Sequence, residues 1–388
     1  MFLAMPFILL FCIAISMIGN AWIPLSVKSV LYALSLSIKS VLIFLLPIII
    51  FALLFRAAVQ LSRYATKIIL FIIAAVCCSN FFSTMISHLI GCWVYTFDLS
   101  LTLPDTVHEL VPAWSLALPK LIPTDLAMLA GVLLGIILPR MRPLYVAQLS
   151  YLLNNIVSRL LKFFTYIIPL FVIGFVIKLD YEGVMSIIIR DYATILVVIA
   201  VTQFSYISIM YLIANNGKVH RTMQTILNML PATITGFSTM SSAAAMPLTI
   251  VGTEKNTHNV DFARSIIPAT VNIHLIGDCF AIPIFAYAVL KTYSISSPTF
   301  VTYLIFAAQF VLAKFSVAAI PGGGIIVMLP ILERYLGFNS EMMSLITALY
   351  ILFDPVITSA NVLGNGGFAM LMDKLYTVFM QYNKHKIH

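Results

Sequence analysis

"SVAAIPGGGIIVMLP", residues 316–330, sets a proline and three successive glycines inside an apolar stretch. A soluble protein puts such a turn among polar residues, and a simple membrane helix avoids it. Backbone that leaves helical geometry inside a bilayer exposes N–H and C=O groups that lipid cannot satisfy. It persists only where it packs in protein or lines a watery cavity. Glycines also permit positive φ and close backbone approach, and they occur at tight helix crossings as well. The surroundings of the stretch decide between a kink and a binding site.

Those surroundings are membrane-like. The chain has 388 residues, of which 61% are hydrophobic and 9% charged, and its mean hydropathy is +1.05. Soluble domains carry roughly a quarter charged residues. Apolar runs of about 20 residues, each long enough to cross a bilayer as a helix, recur along nearly the whole sequence. The fold class expected is an all-α polytopic membrane protein.

The net charge of +8 is spread over loop positions. Nucleic acid requires a clustered basic face, and no such cluster is present, so no nucleic-acid partner is expected. Cys12, Cys77, Cys78, Cys92 and Cys279 lie in or beside apolar spans. They have no metal-ligand spacing and read as small apolar residues. The N-terminal apolar run lacks the positive start of a cleaved leader, so it reads as a retained first span.

Simple spans fall near residues 2–23, 39–60, 67–95, 124–139, 160–178, 193–215, 261–291 and 341–372. Stretches 226–251 and 303–332 contain breakers. Arg56, Arg63 and Lys67 follow the second span, Arg140 and Arg142 the fourth, Lys218 and Arg221 the sixth, and Lys384 and Lys386 lie in the tail. The alternate loops carry Asp98, Asp105, Glu109, Asp180, Glu182 and Asp191. This bias places both termini in the cytoplasm after eight crossings; Lys28 and Lys39 run against it. The count holds only if each interrupted stretch enters and leaves on one side, as a re-entrant hairpin. One membrane domain is expected over 1–388, with mostly scaffold spans in 1–224, hairpins and broken helices of a transport core in 225–372, and a cytoplasmic tail in 373–388. A hairpin followed by a polar-studded helix occurs twice, and paired interrupted segments point to a transporter's binding site.

The first hairpin, "TGFSTMSSAAAMPLTI" (residues 235–250), offers Ser241 and Ser242 as donors to an anionic group near a half-helix N-terminus. Small residues there also serve simply to pack helices. Pro321, Gly322, Gly323 and Gly324 form the second tip. The last span, "LFDPVITSANVLGNGG", places Asp354, Thr358, Asn361 and Asn365 on one helical face. A carboxylate within a membrane helix is costly unless it faces a cavity or a partner. "VNIHLIGDCFAIP" brings Asn272, His274 and Asp278 together. His274 and Asp278, four apart, can touch on a helix and would suit a proton relay. A histidine serving only as a buried hydrogen bonder is the alternative. Lys314 adds one more charge at membrane depth. Spacings for a metalloprotease, a serine-hydrolase elbow or another hydrolytic centre are absent, and no enzyme is expected.

These segments resemble the glutamate transporter family, the dicarboxylate/amino acid:cation symporters, over about residues 225–372. "SSAAAMP" resembles its serine-rich SSS-(A/G)-T-L-P tip and "IPGGG" its P-G-(A/G)-G tip. "DPVITSANVLGN" lines up with D-x-x-R-T-x-x-N-V-x-G-D, keeping Asp354, Thr358, Asn361, Val362 and Gly364. The resemblance implies an inner-membrane homotrimer with a fixed scaffold and an elevator-like transport part. It implies that Ser242 and Asn361 hold a substrate carboxylate, that Asp354 holds an amino group, and that Pro321 to Gly324 act as a gate.

The departures are as informative. The family's arginines are Ile357 and Met240 here, so a second substrate carboxylate would meet no cation, a large desolvation cost. The ion motif N-M-D-G-T reads His274-Leu275-Ile276-Gly277-Asp278, and the last-helix ion-binding aspartate is Asn365. The expectation is a secondary transporter of small, neutral amino acids. No cofactor and no assured metal site are expected, with a proton or no coupling ion favoured over Na⁺. A proton- or sodium-coupled dicarboxylate carrier stays open, as does a non-transporting or channel-like member.

Overall fold

Apolar runs leave the backbone one local way to satisfy its own polar groups, and the described elements are helices throughout. The computed structural model describes residues 11, 15, 19, 22–63, 67–97, 110–119, 122–183, 185–317 and 322–385. Most of the expected first span lies outside them, as do residues 318–321, with Pro321 among them.

The described helices are α1 (Leu25–Arg63), α2 (Lys67–Val94), α3 (Thr124–Met141), α4 (Pro143–Tyr181), α5 (Met185–Ala214) and α6 (Val219–Thr239). They continue with α7 (Ser242–Glu254), α8 (Val260–Thr270), α9 (Ile276–Thr292), α10 (Phe300–Lys314), α11 (Gly323–Leu336) and α12 (Ser340–His385). Stretches within α2, α5 and α12 are long and apolar enough to cross a membrane. α1 and α4 begin well before the expected starts at 39 and 160, because residues such as Lys28, Lys39, Asn154 and Arg159 interrupt an apolar count without breaking a helix. α7 and α12 likewise run on through Pro247 and Pro355, which remove one backbone hydrogen bond each but do not end them.

Two packing groups emerge. α3 and α4 pack on α1. The approach is close because Gly131 and Gly135 of α3 lie against the backbone of Phe51 and Phe55, and Gly174 of α4 lies against that of Leu31. The second group joins α2 and α5 to everything from α6 onward. At its centre α9 buries all its residues from Ile276 to Leu290, as a helix that is apolar all round must. α12 packs against α5 through α9 and against α11. The site is built on these two central helices.

Helices end inside both stretches that contain breakers, and a third break falls inside the expected simple span 261–291. α6 stops at Met240, which has a left-handed conformation (φ 49°) and donates its N–H to Gly236 O. α8 and α9 are separated by a non-helical break over residues 271–275. α11 starts from Gly322, also left-handed (φ 71°). There glycine incurs no Cβ clash, whereas at Met240 the same conformation costs of order 1–2 kcal/mol.

Candidate functional site

The break between α8 and α9 exposes backbone that α2 satisfies. Asn80 of α2 donates to Ile273 O (2.7 Å) and accepts from Leu275 N (3.3 Å), bridging the gap from both sides. Ser79, one residue earlier, meets His274 Nε2 at 2.9 Å, and the imidazole stacks on Phe368 (centroids 4.1 Å apart). His274 therefore does not sit on the helix that carries Asp278. The expected contact between them is not made, because the i, i+4 spacing spans the break rather than one helical turn. Ser79 and Asn80 of α2 were not singled out from sequence. The signal available was the run of polar residues Ser79, Asn80, Ser83, Thr84, Ser87 and His88 in a helix of membrane-like composition.

Asp278, in the first turn of α9, is held by side chains from two other helices, α10 and α12. Lys314 Nζ at the end of α10 lies 2.9 Å from Oδ2, with both side chains at most 1% exposed. Tyr350 of α12 donates its hydroxyl to Oδ1 (2.8 Å). Asn361 Nδ2 reaches the same oxygen at 3.5 Å, while Asn361 Oδ1 accepts from Gly277 N (2.8 Å) and Asp278 N (3.4 Å). Tyr350 was missed in the sequence although it stands four residues before Asp354, on the same face of α12.

Asp354 has different company. Its Oδ2 accepts the N–H of Gly322 (2.7 Å) and its Oδ1 the hydroxyl of Thr358 (2.8 Å). Among the described residues no Lys, Arg or His pairs with it. Asp354 is 3% exposed, and its carboxyl group is held by neutral donors alone among the described residues. Buried carboxylates ordinarily acquire a cation. Asn365 lies further along the same face and accepts from Thr270 (2.8 Å).

A cavity of about 20 Å³ sits between the two aspartates, lined by Ser242, Asn272, Asp278, Gly324, Asp354, Thr358 and Asn361 together with Met240, Val271, Leu275, Val317 and Tyr350. It holds about one water. Ser241 is a helix cap instead, its Oγ accepting from Ala244 N at the start of α7. Gly323 is buried in the first turn of α11. A Cβ on Gly324 would lie 2.3 Å from Tyr350 Oη and 2.7 Å from Asp278 Oδ2, so any larger residue there would displace these two side-chain ends. Gly277 meets the backbone of Ile357 the same way (2.3 Å). Ile357 is itself fully buried and lies outside the cavity lining.

The arrangement is a small chamber where the end of α6, the break between α8 and α9 and the start of α11 meet, holding one carboxylate paired with a lysine and one that pairs with no cation among the described residues. Residues 3–375 match the Sodium:dicarboxylate symporter family, which is nearly the whole chain. No curated protein matches it.

Proposed function

The chain belongs to the Sodium:dicarboxylate symporter family, and from that premise we propose that it is a secondary active transporter of small neutral amino acids. Members of that family are membrane transporters and not enzymes. The observation that carries the reading is Asp354. It is buried, bonded to Gly322 N–H and Thr358, and not paired with a cation among the described residues. An α-ammonium group supplies the missing charge. The nearby Asp278 cannot compete for it, because Lys314 already neutralises that carboxylate. A substrate α-carboxylate would fall to Ser242 and Asn361, which line the same cavity. A second carboxylate, as in a dicarboxylate, would face Met240 and find no cation.

In this reading the Lys314–Asp278 pair does the electrostatic work that a bound cation would do, and uptake is independent of Na⁺. Lys314 is on the arm that leads to the glycine tip, so its ammonium fastens that arm to α9. The proton relay through His274 and Asp278 is disfavoured by the break that separates them, since His274 is bonded to Ser79.

The wider architecture follows as part of the proposal. Stretches 226–251 and 303–332 are re-entrant hairpins among eight crossings, with both termini cytoplasmic in an inner membrane. α1, α3 and α4 form the scaffold of a homotrimer, and the group containing α2 and α5 through α12 moves as an elevator, with Gly322 to Gly324 as its gate.

The test is uptake into liposomes containing the purified protein, with labelled neutral amino acids, glutamate and succinate, and with Na⁺ replaced by choline at constant pH. Neutral amino acid uptake that ignores the replacement is expected. Glutamate or succinate uptake that vanishes without Na⁺ would overturn both the substrate and the coupling assignments.

A further inference from the structure

A second cavity, of about 100 Å³, lies away from the transport site, where the end of α5, the start of α6 and the distal part of α12 converge. Its lining includes Lys218, Arg221, Lys374, Asp373, Asn216 and His258. Three cations thus face one hollow with a single carboxylate.

Their bonding separates them. Asp373 is 1% exposed and accepts from His258 N at 2.8 Å and from His258 Nδ1 at 3.3 Å, which ties it into the wall. Lys374 Nζ donates to Asn216 Oδ1 at 2.7 Å, which fixes it beside the opening. Lys218 and Arg221 have no side-chain hydrogen bond or ion pair among the described residues. The backbone adds to the same sign. Lys218 provides no side-chain cap for α6, so the first N–H groups of that helix point outward beside the two cations.

Charges that serve only to orient a membrane protein need no hollow and no cation brought in from a distant helix. We propose that this cavity binds a phosphate-bearing anion, with Lys218 and Arg221 as its principal ligands and Lys374 as the third. Arg221 supplies the forked donor geometry suited to phosphate oxygens. Two sources share this chemistry: the headgroup of an anionic phospholipid in the adjoining leaflet and a soluble phosphate. The inference stands independently of what the transport site carries.

The experiment measures the unfolding midpoint of the purified full-length protein in neutral detergent. Phosphatidylglycerol, phosphatidylcholine or inorganic phosphate is titrated in, with sodium chloride matched for ionic strength. Phosphatidylglycerol or phosphate is expected to raise the midpoint where phosphatidylcholine and chloride do not. Response to the lipid alone identifies a headgroup site, and response to both identifies a general phosphate site. The Lys218→Gln/Arg221→Gln double variant should need roughly 30-fold more of the active ligand, the loss expected for two cations near an anionic headgroup. Lys255→Gln, at a cation outside the cavity, should respond as the unaltered protein does. Unaltered protein that is stabilised by neither ligand beyond the chloride control overturns the proposal, a result that does not depend on whether the double variant folds. Equal responses from the double variant and the unaltered protein overturn it as well.

Discussion

At the scale of single residues, the site is decided by which of two nearby carboxylates already has a cation. Asp278 has Lys314, and Asp354 has only neutral donors. Removing one member of a buried ion pair strands the other, at about 3–5 kcal/mol. Lys314→Met should therefore lower unfolding stability by that amount, and adding Asp278→Asn should recover most of it; a denaturant series in detergent measures both. Lys314→Ala that left uptake at full rate and still indifferent to Na⁺ would end the role proposed for the ammonium. Asp354→Asn retains a carbonyl oxygen for the Gly322 N–H while losing the charge. It should abolish neutral amino acid uptake with little change in unfolding midpoint, and undiminished uptake would remove the amino-group assignment. Asp354, Thr358 and Asn361 were legible from their spacing on one helix. Tyr350 carried the same periodic signal but no charge to draw notice.

At the scale of elements, the geometry depends on where helices stop and how closely they cross. α9 approaches α12 at Gly277, where any Cβ would lie 2.3 Å from the carbonyl oxygen of Ile357. Backbone cannot step aside as a flexible side chain can. Gly277→Ala should cost about 1–3 kcal/mol through overpacking, seen as a lowered unfolding midpoint, and should also disturb the Asn361 bonds to residues 277 and 278. An unshifted midpoint would mean that the two helices can part at this crossing without cost. The break over residues 271–275 is held open by Asn80 from α2. A sequence window sees His274 and Asp278 as one turn apart. Only the partner that stabilises the break shows that no helix joins them.

At the scale of the whole molecule, a polar tie among the described residues joins the two packing groups. Lys39 of α1 donates to the Ser340 carbonyl, to Ser340 Oγ (2.8 Å) and to Ser344 Oγ (2.7 Å) at the start of α12. Within the first group, Lys28 of α1 lies over the Tyr181 ring of α4 (4.9 Å), and Lys178 of α4 pairs with Glu182 (3.2 Å). The lysines that disturb the charge bias are thus engaged with neighbouring groups rather than standing as free loop cations. If the groups slide past one another during transport, the Lys39 tie must break each cycle. Hydrogen bonds from a charged donor are worth about 1.5–3 kcal/mol, so Lys39→Met should change the balance between arrangements roughly tenfold or more. Fluorescence energy transfer between labels on α1 and α12 reads that shift, and an unaltered distance distribution would exclude Lys39 as a restraint.

The sequence by itself determined the class of molecule: a helical membrane protein with interrupted segments and a polar stripe on its last helix. Those properties follow from composition, periodicity and backbone hydrogen bonding, which act over neighbouring residues. Tertiary structure alone decided the charge pairing of the site. Pairing Lys314 with Asp278, rather than with Asp354, depends on three helices meeting at one point. The same holds for the meeting of Lys374 with Lys218 and Arg221. Residues far apart in the chain have no local signature of their proximity, and the strength of an electrostatic interaction is set by distance and burial, which only the assembled fold supplies.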